Sequence, residues 1–138
     1  MIATSVVVLA VVGFVVSTYF TAVAYRWIEP DAAWVPPVCR LDKGTCALIV
    51  FTPRARVFGL PNSVLGQVWY AALLVGLALG WLGNPPLRPL YLAASLVTVL
   101  LGVYLTWSLL FITRVNCRLC FASHAINLVL FALLWVGF

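Results

Sequence analysis

The chain has little charge. Eight Lys or Arg and three Asp or Glu make up 8% of its 138 residues, against 65% hydrophobic residues. A soluble domain is roughly a quarter charged and half apolar. The shortage excludes an ordinary water-soluble fold, because too little polar surface exists to keep it in solution. Internal repeats and low-complexity segments are absent, and the length fits one domain, taken as residues 1–138. A net charge of +5 would point to nucleic acid in a soluble protein. Here the basic residues flank apolar runs, so headgroup contact and topology account for them.

Charge is missing altogether from four long stretches: Ile2 to Tyr25, Val64 to Leu82, Leu90 to Thr113, and Phe121 to Phe138. A spanning helix needs roughly 20 apolar residues, which each stretch approaches or exceeds. The first stretch lacks the basic flank of a signal peptide and is too long for its apolar segment, so it reads as a retained helix. The expected fold is an all-α integral membrane protein. It is a four-transmembrane-helix bundle with helices at 2–25, 63–82, 89–113 and 116–137. "GNPPLRP" makes a tight turn between the second and third helices, because proline cannot continue a helix. A few residues around "TRVN" join the third to the fourth. Gly76 and Gly80 in "GLALG" put two glycines on one face of the second helix for close packing. The segment 26–62 between the first two helices is far longer than an ordinary connection, and such loops tend to be functional. Its apolar runs 48–51 and 57–60 are expected to lie as a short amphipathic or half-buried segment over the bundle mouth.

No cysteine falls in the middle of a span. With four spans, all four lie on one side of the membrane: Cys39 and Cys46 in the long loop, Cys117 and Cys120 at the head of the last helix. Inert structural cysteines would be scattered through the helices. A zinc site would want two short knuckles, and only one pair has that spacing. Redox chemistry fits best. In "CRLC" the first thiol sits near a helix N-terminus, where unsatisfied N–H groups and the dipole favour a thiolate, and Arg114 and Arg118 add positive charge. CxxC spacing lets two sulfurs close a disulfide. A second pair in "CRLDKGTC", around a polar turn, supplies the relay that thiol–disulfide exchange needs. The competing class is a membrane protein that binds or transports Cu(I) or Hg(II) on thiolate pairs.

Cys117, Cys120, His124 and Asn127 are spaced three, four and three apart, which puts them on one helix face. Polar side chains are costly in a span and usually face the bundle interior or a ligand. A lone histidine is commonly just an interhelical hydrogen bond, but its register beneath a CxxC favours a functional role. "LPNSVLGQVWY" adds Asn62, Ser63, Trp69 and Tyr70 at the start of the second helix, where Asn62 and Ser63 are also good N-caps. Amide and imidazole donors, aromatic walls and a nearby thiolate suit a quinone, which is a flat apolar ring with two carbonyl acceptors.

Four spans, the loop pair, "NS" followed by "LG" at the second helix, and "CRLCFASHAIN" heading the fourth resemble the vitamin K epoxide reductase family across most of the chain. The DsbB-type quinone reductases share the chemistry but place their second cysteine pair differently. The resemblance implies a quinone-dependent thiol oxidoreductase that generates disulfides. Cys39 and Cys46 would exchange with a thioredoxin-fold, DsbA-like partner. Cys46 would form a transient mixed disulfide with Cys117, and Cys120 would face the quinone, of menaquinone or ubiquinone type. Asn62 matches the family's quinone-binding asparagine. His124 stands where the mammalian enzymes carry a quinone-contacting tyrosine, which changes the reach of the donor. Many bacterial members carry a fused thioredoxin-like domain; the chain ends at Phe138 without one, so the partner is expected to be separate. No metal is expected.

Orientation is contested. Arg26, Arg40, Lys43, Arg54, Arg56, Arg114 and Arg118 lie on the cysteine side, against Arg88 on the other. The positive-inside rule turns the cysteines to the cytoplasm. Disulfide chemistry favours the outside, with hyperthermophiles as the exception. The charge count tips the expectation slightly toward cytoplasm-facing cysteines.

Overall fold

A computed structural model of the chain describes residues 1–27, 56–57, 60–112 and 118–138. Four long helices dominate: α1 (Ile2–Ala24), α2 (Asn62–Ala78), α3 (Arg88–Trp107) and α4 (Arg118–Gly137). Among the described residues, three segments are long and apolar enough to cross a membrane: Ile2–Ala24, Arg88–Ile112 and Leu119–Gly137. α2, with 17 residues, is shorter. At 1.5 Å per residue it reaches about 25 Å, the lower end of what a hydrocarbon core requires. The membrane character is written on the outside of the helices. Val97 is 63% exposed and Val136 78%, with apolar neighbours on the same outer faces. Aromatic side chains gather near the helix ends, where amphipathic rings meet headgroups. Tyr25 and Trp27 stack with centroids 5.4 Å apart just past α1, and Tyr104 and Trp107 lie together at the end of α3.

The second helix ends earlier than its composition predicts. Gly80 adopts the left-handed conformation (φ 71°) immediately after the C-cap residue Leu79, and its amide bonds the Leu77 carbonyl at 3.2 Å. Gly80 therefore stops the helix rather than packing beside Gly76, because only glycine enters that region without a Cβ penalty. A 3₁₀ turn (Trp81–Gly83) and Asn84, whose carbonyl accepts from Leu87 and Arg88, complete the reversal. α1 ends in the same way but with Arg26 in the left-handed position (φ 60°), bonded to the Val23 carbonyl while Trp27 reaches Ala22. α2 starts at Asn62 with Pro61 as N-cap and no side-chain cap bond, so neither Asn62 nor Ser63 serves as the cap. The third helix leaves its regular course after Trp107 and widens into a π turn, Ser108–Ile112. At the ends of the run 57–60, Arg56–Val57 pairs with Leu60–Pro61 in a two-residue antiparallel ladder, and residues 58–59 lie outside the described residues. The loop cysteines Cys39 and Cys46, residues 48–51, the connection 113–117 and Cys117 lie outside the described residues.

The helices run antiparallel to their main neighbours. Gly13 faces Tyr70, Ser17 faces Gly66, and Thr21 bonds Ser63, so α1 numbers rise as α2 numbers fall. Gly102 faces His124 and the Arg88 guanidinium donates to the Trp135 carbonyl at 3.1 Å, which sets the same relation between α3 and α4. α1 packs along both α2 and α4, and α3 along α4. No comparable packing joins α2 to α3. They meet locally at Tyr91, whose hydroxyl donates to the Ala72 carbonyl at 3.2 Å over Gly76. An apolar core of Val6, Ala10, Leu73, Leu82, Leu130 and Leu134 fills one half of the bundle. The other half is hollow.

Candidate functional site

The hollow half holds a cavity of about 180 Å³ that all four helices line. α1 contributes Ser17 and Phe20; α2 contributes Asn62, Ser63, Trp69 and Tyr70. α3 and the π turn supply Thr98, Gly102, Ser108 and Leu109, and α4 supplies Cys120, Ser123, His124 and Asn127. The polar stripe read from the sequence thus faces one space from Cys120 down to Asn127. The five residues predicted to bind a quinone, Asn62, Ser63, Trp69, Tyr70 and His124, all border that space. Of the four cysteines, Cys120 is placed at its wall. Cys39, Cys46 and Cys117 fall outside the described residues.

Each polar side chain is held differently. Ser63 and Gln67 belong to a hydroxyl–amide cluster with α1. Thr21 Oγ1 lies 2.9 Å from Ser63 Oγ and 2.8 Å from Gln67 Oε1, and Gln67 Nε2 donates to Thr18 Oγ1 at 3.0 Å. Four polar groups satisfy one another where two apolar helices meet, which fixes the α1–α2 register. Tyr70 is buried against Gly13, where a Cβ would overlap its ring. Its hydroxyl donates to Asn127 Oδ1 at 2.8 Å and also bonds the Ser123 side chain. The Trp69 indole is 8% exposed, and its N–H has no hydrogen-bond partner among the described residues. A buried donor left open in a cavity wall is the kind of group a ligand satisfies.

His124 packs on the bare backbone of Gly102. A Cβ there would stand 3.1 Å from Nδ1 and 3.4 Å from Cγ. The imidazole makes no side-chain hydrogen bond among the described residues, so the interhelical bond that commonly accounts for such a histidine is not seen there. Ser17, Thr98, Ser108 and Ser123 were not predicted. The cluster "STYFT" after the apolar run 6–16 of the first helix is the available signal for Ser17, Thr18 and Thr21. The three hydroxyls on the fourth-helix side and α3 carry no pattern that separates them from ordinary helix serines and threonines.

The residues fit a quinone. Walls of Phe20, Leu65, Leu101, Leu105 and Trp69 match a flat apolar ring, and a few amide, imidazole and indole donors can meet carbonyl oxygens. No group of three or more metal-ligating side chains occurs among the described residues. No curated protein matches the chain in sequence. The family model for the vitamin K epoxide reductase family matches residues 4–135, nearly the whole length. With that match laid over an apolar, thiol-bearing cavity in a membrane helix bundle, the chain belongs to the vitamin K epoxide reductase family.

Proposed function

We propose that this protein is a four-span, quinone-dependent thiol oxidoreductase that generates disulfides in a separate thioredoxin-fold partner. The observation that carries the reading is the convergence of Cys120, His124 and Asn127 with Asn62 and Trp69 on one apolar cavity. Family membership supports thiol and quinone chemistry and weighs against the metal-carrier reading of the cysteines.

The partner dithiol attacks a Cys39–Cys46 disulfide and leaves as a disulfide. The reduced loop pair then reduces a Cys117–Cys120 disulfide, with Cys46 and Cys117 forming the transient mixed bond. A quinone in the cavity takes up two electrons and two protons, and the CxxC pair returns to the disulfide. Asn62 and the Trp69 N–H hold carbonyl oxygen. Cys120, at the cavity wall, delivers the electron pair. His124 passes a proton toward the nearer oxygen, a role for which imidazole is suited. Apolar walls keep bulk water from the thiolate. The sparse contact between α2 and α3 supports a route there for an apolar tail into the bilayer.

The test is quinone absorbance in detergent with purified protein and a reduced thioredoxin-fold partner. Turnover is expected. Cys120→Ala should abolish quinone reduction, Cys46→Ala should abolish transfer from the partner, and His124→Ala should slow quinone turnover while partner exchange continues. An unchanged quinone spectrum with the unaltered protein would refute the reading. A membrane-impermeant thiol reagent on intact cells decides orientation: labelling refutes the cytoplasm-facing arrangement that the seven-to-one charge bias favours.

A further inference from the structure

Tyr70 and Asn127 form a unit that the cysteine relay does not use. Tyr70 is 1% exposed, and its ring lies where α1 has only Gly13. Its hydroxyl is therefore fixed in place before any ligand arrives. That hydroxyl donates to Asn127 Oδ1 at 2.8 Å. An amide whose oxygen is occupied presents its NH₂ to whatever lies in front. Asn127 lines the cavity, and its Nδ2 has no partner among the described residues. His124, one turn nearer Cys120, leans on Gly102 of α3. Side chains three apart on a helix stand about 5–6 Å apart at Cβ, a spacing of the same order as that between the para oxygens of a quinone.

We infer that Asn127, oriented by Tyr70, donates to the far carbonyl of a para-quinone whose near carbonyl lies at the His124 level. The inference rests on the proposed quinone chemistry and adds a specificity to it: the site selects a ligand with two opposed acceptors. Tyr70 is then a positioning residue that acts through Asn127, not a ligand contact in its own right. Discrimination follows from chemistry. A ligand lacking the far carbonyl leaves the Asn127 donor unsatisfied in an apolar surround and gains nothing from it.

The test is a two-way cycle of side chain and ligand. Equilibrium dialysis in detergent measures binding of 2-methyl-1,4-naphthoquinone and of 1-tetralone, which lacks the second carbonyl. Asn127→Leu is expected to weaken the dione about tenfold, the worth of one good hydrogen bond, and to leave the mono-ketone unchanged. Tyr70→Phe is expected to weaken the dione severalfold and to add nothing in the Asn127→Leu background. If Asn127→Leu does not fold, Tyr70→Phe with the two ligands carries the same discrimination. Dione binding unchanged in both variants overturns the inference while wild-type quinone turnover keeps the proposed function. Equal loss for both ligands overturns it as a general collapse of the cavity, and additive losses overturn the positioning role of Tyr70. Wild-type protein that neither binds nor reduces quinone removes the function and this inference together.

Discussion

Gly13→Ala tests the packing that holds the cavity open. A Cβ at this position would stand 2.5 Å from Cε1 and 2.8 Å from Cε2 of the Tyr70 ring, well inside van der Waals contact. The ring has little freedom to retreat, because Tyr70 is fully enclosed and its hydroxyl is tied to Asn127. Overpacking of this kind costs about 1–3 kcal/mol. Displacing the Tyr70 hydroxyl forfeits about 0.5–1.5 kcal/mol of hydrogen bonding. Alanine returns about 1 kcal/mol through helix propensity. The net expectation is a loss of about 1–3 kcal/mol, together with weaker quinone binding. Gly83→Ala is the control, since nothing lies within 4 Å of a Cβ there. Thermal unfolding of both variants in one detergent, with dione affinity measured alongside, reads the result. If Gly13→Ala unfolds no earlier than Gly83→Ala and binds the dione as the unaltered protein does, the close approach of α1 to Tyr70 is refuted.

Gly102→Ala places a Cβ against the His124 ring edge, which must give by a few tenths of an ångström; stability should stay within about 1 kcal/mol, because propensity offsets the crowding, while quinone turnover falls severalfold. Unaltered turnover would show that the His124 position is not set by α3. Gly80→Ala should destabilise by about 1 kcal/mol through its left-handed backbone, and Arg26→Gly should stabilise by a similar amount for the opposite reason; paired unfolding curves in detergent with shifts of the wrong sign would remove the cap assignments. Gln67→Leu breaks contacts to both Thr18 and Thr21 and should cost about 1 kcal/mol, whereas Ser63→Ala leaves Thr21 bonded to Gln67 and should cost less. Equal unfolding temperatures for the two variants would dissolve the cluster as a register device.

Much of the helical arrangement was legible because lipid makes it a local matter. Each span must satisfy its own backbone, so an uncharged apolar run of sufficient length suffices to announce a helix. The stretches beginning at Ile2, near Leu90 and near Phe121 correspond to three described helices of spanning length. Composition extends the second helix too far because Leu79 to Leu82 are as apolar as the helix before them. Their composition does not reveal that Gly80 turns left-handed. Spacing from Gly76 makes the same glycine look like a packing residue, because spacing does not distinguish a helix face from a helix end.

The face carrying Cys120, His124 and Asn127 was also legible, for helical periodicity fixes which side chains share an azimuth. Its partners were only partly so. Asn62, Ser63, Trp69 and Tyr70 drew attention as polar or aromatic residues in one segment. Nothing in that segment states that Ser63 turns to Thr21 or that Tyr70 turns to Asn127. Gly13 looked like any glycine of an apolar helix, and Gly102 likewise.

The sequence by itself determined that the chain lives in a membrane and that one polar face of its last helix descends from Cys120. These are properties of single segments, set by hydropathy and by a repeat of 3.6 residues. Only the tertiary structure decided what that face looks onto. The cavity exists because four helices pack with glycines at Tyr70 and His124 and without close packing between α2 and α3. The orientation of Asn127 depends on a tyrosine 57 positions away in the chain and on the absence of a side chain on a third helix. Such relations depend on the rotation and offset of whole helices against one another, and no local pattern records them.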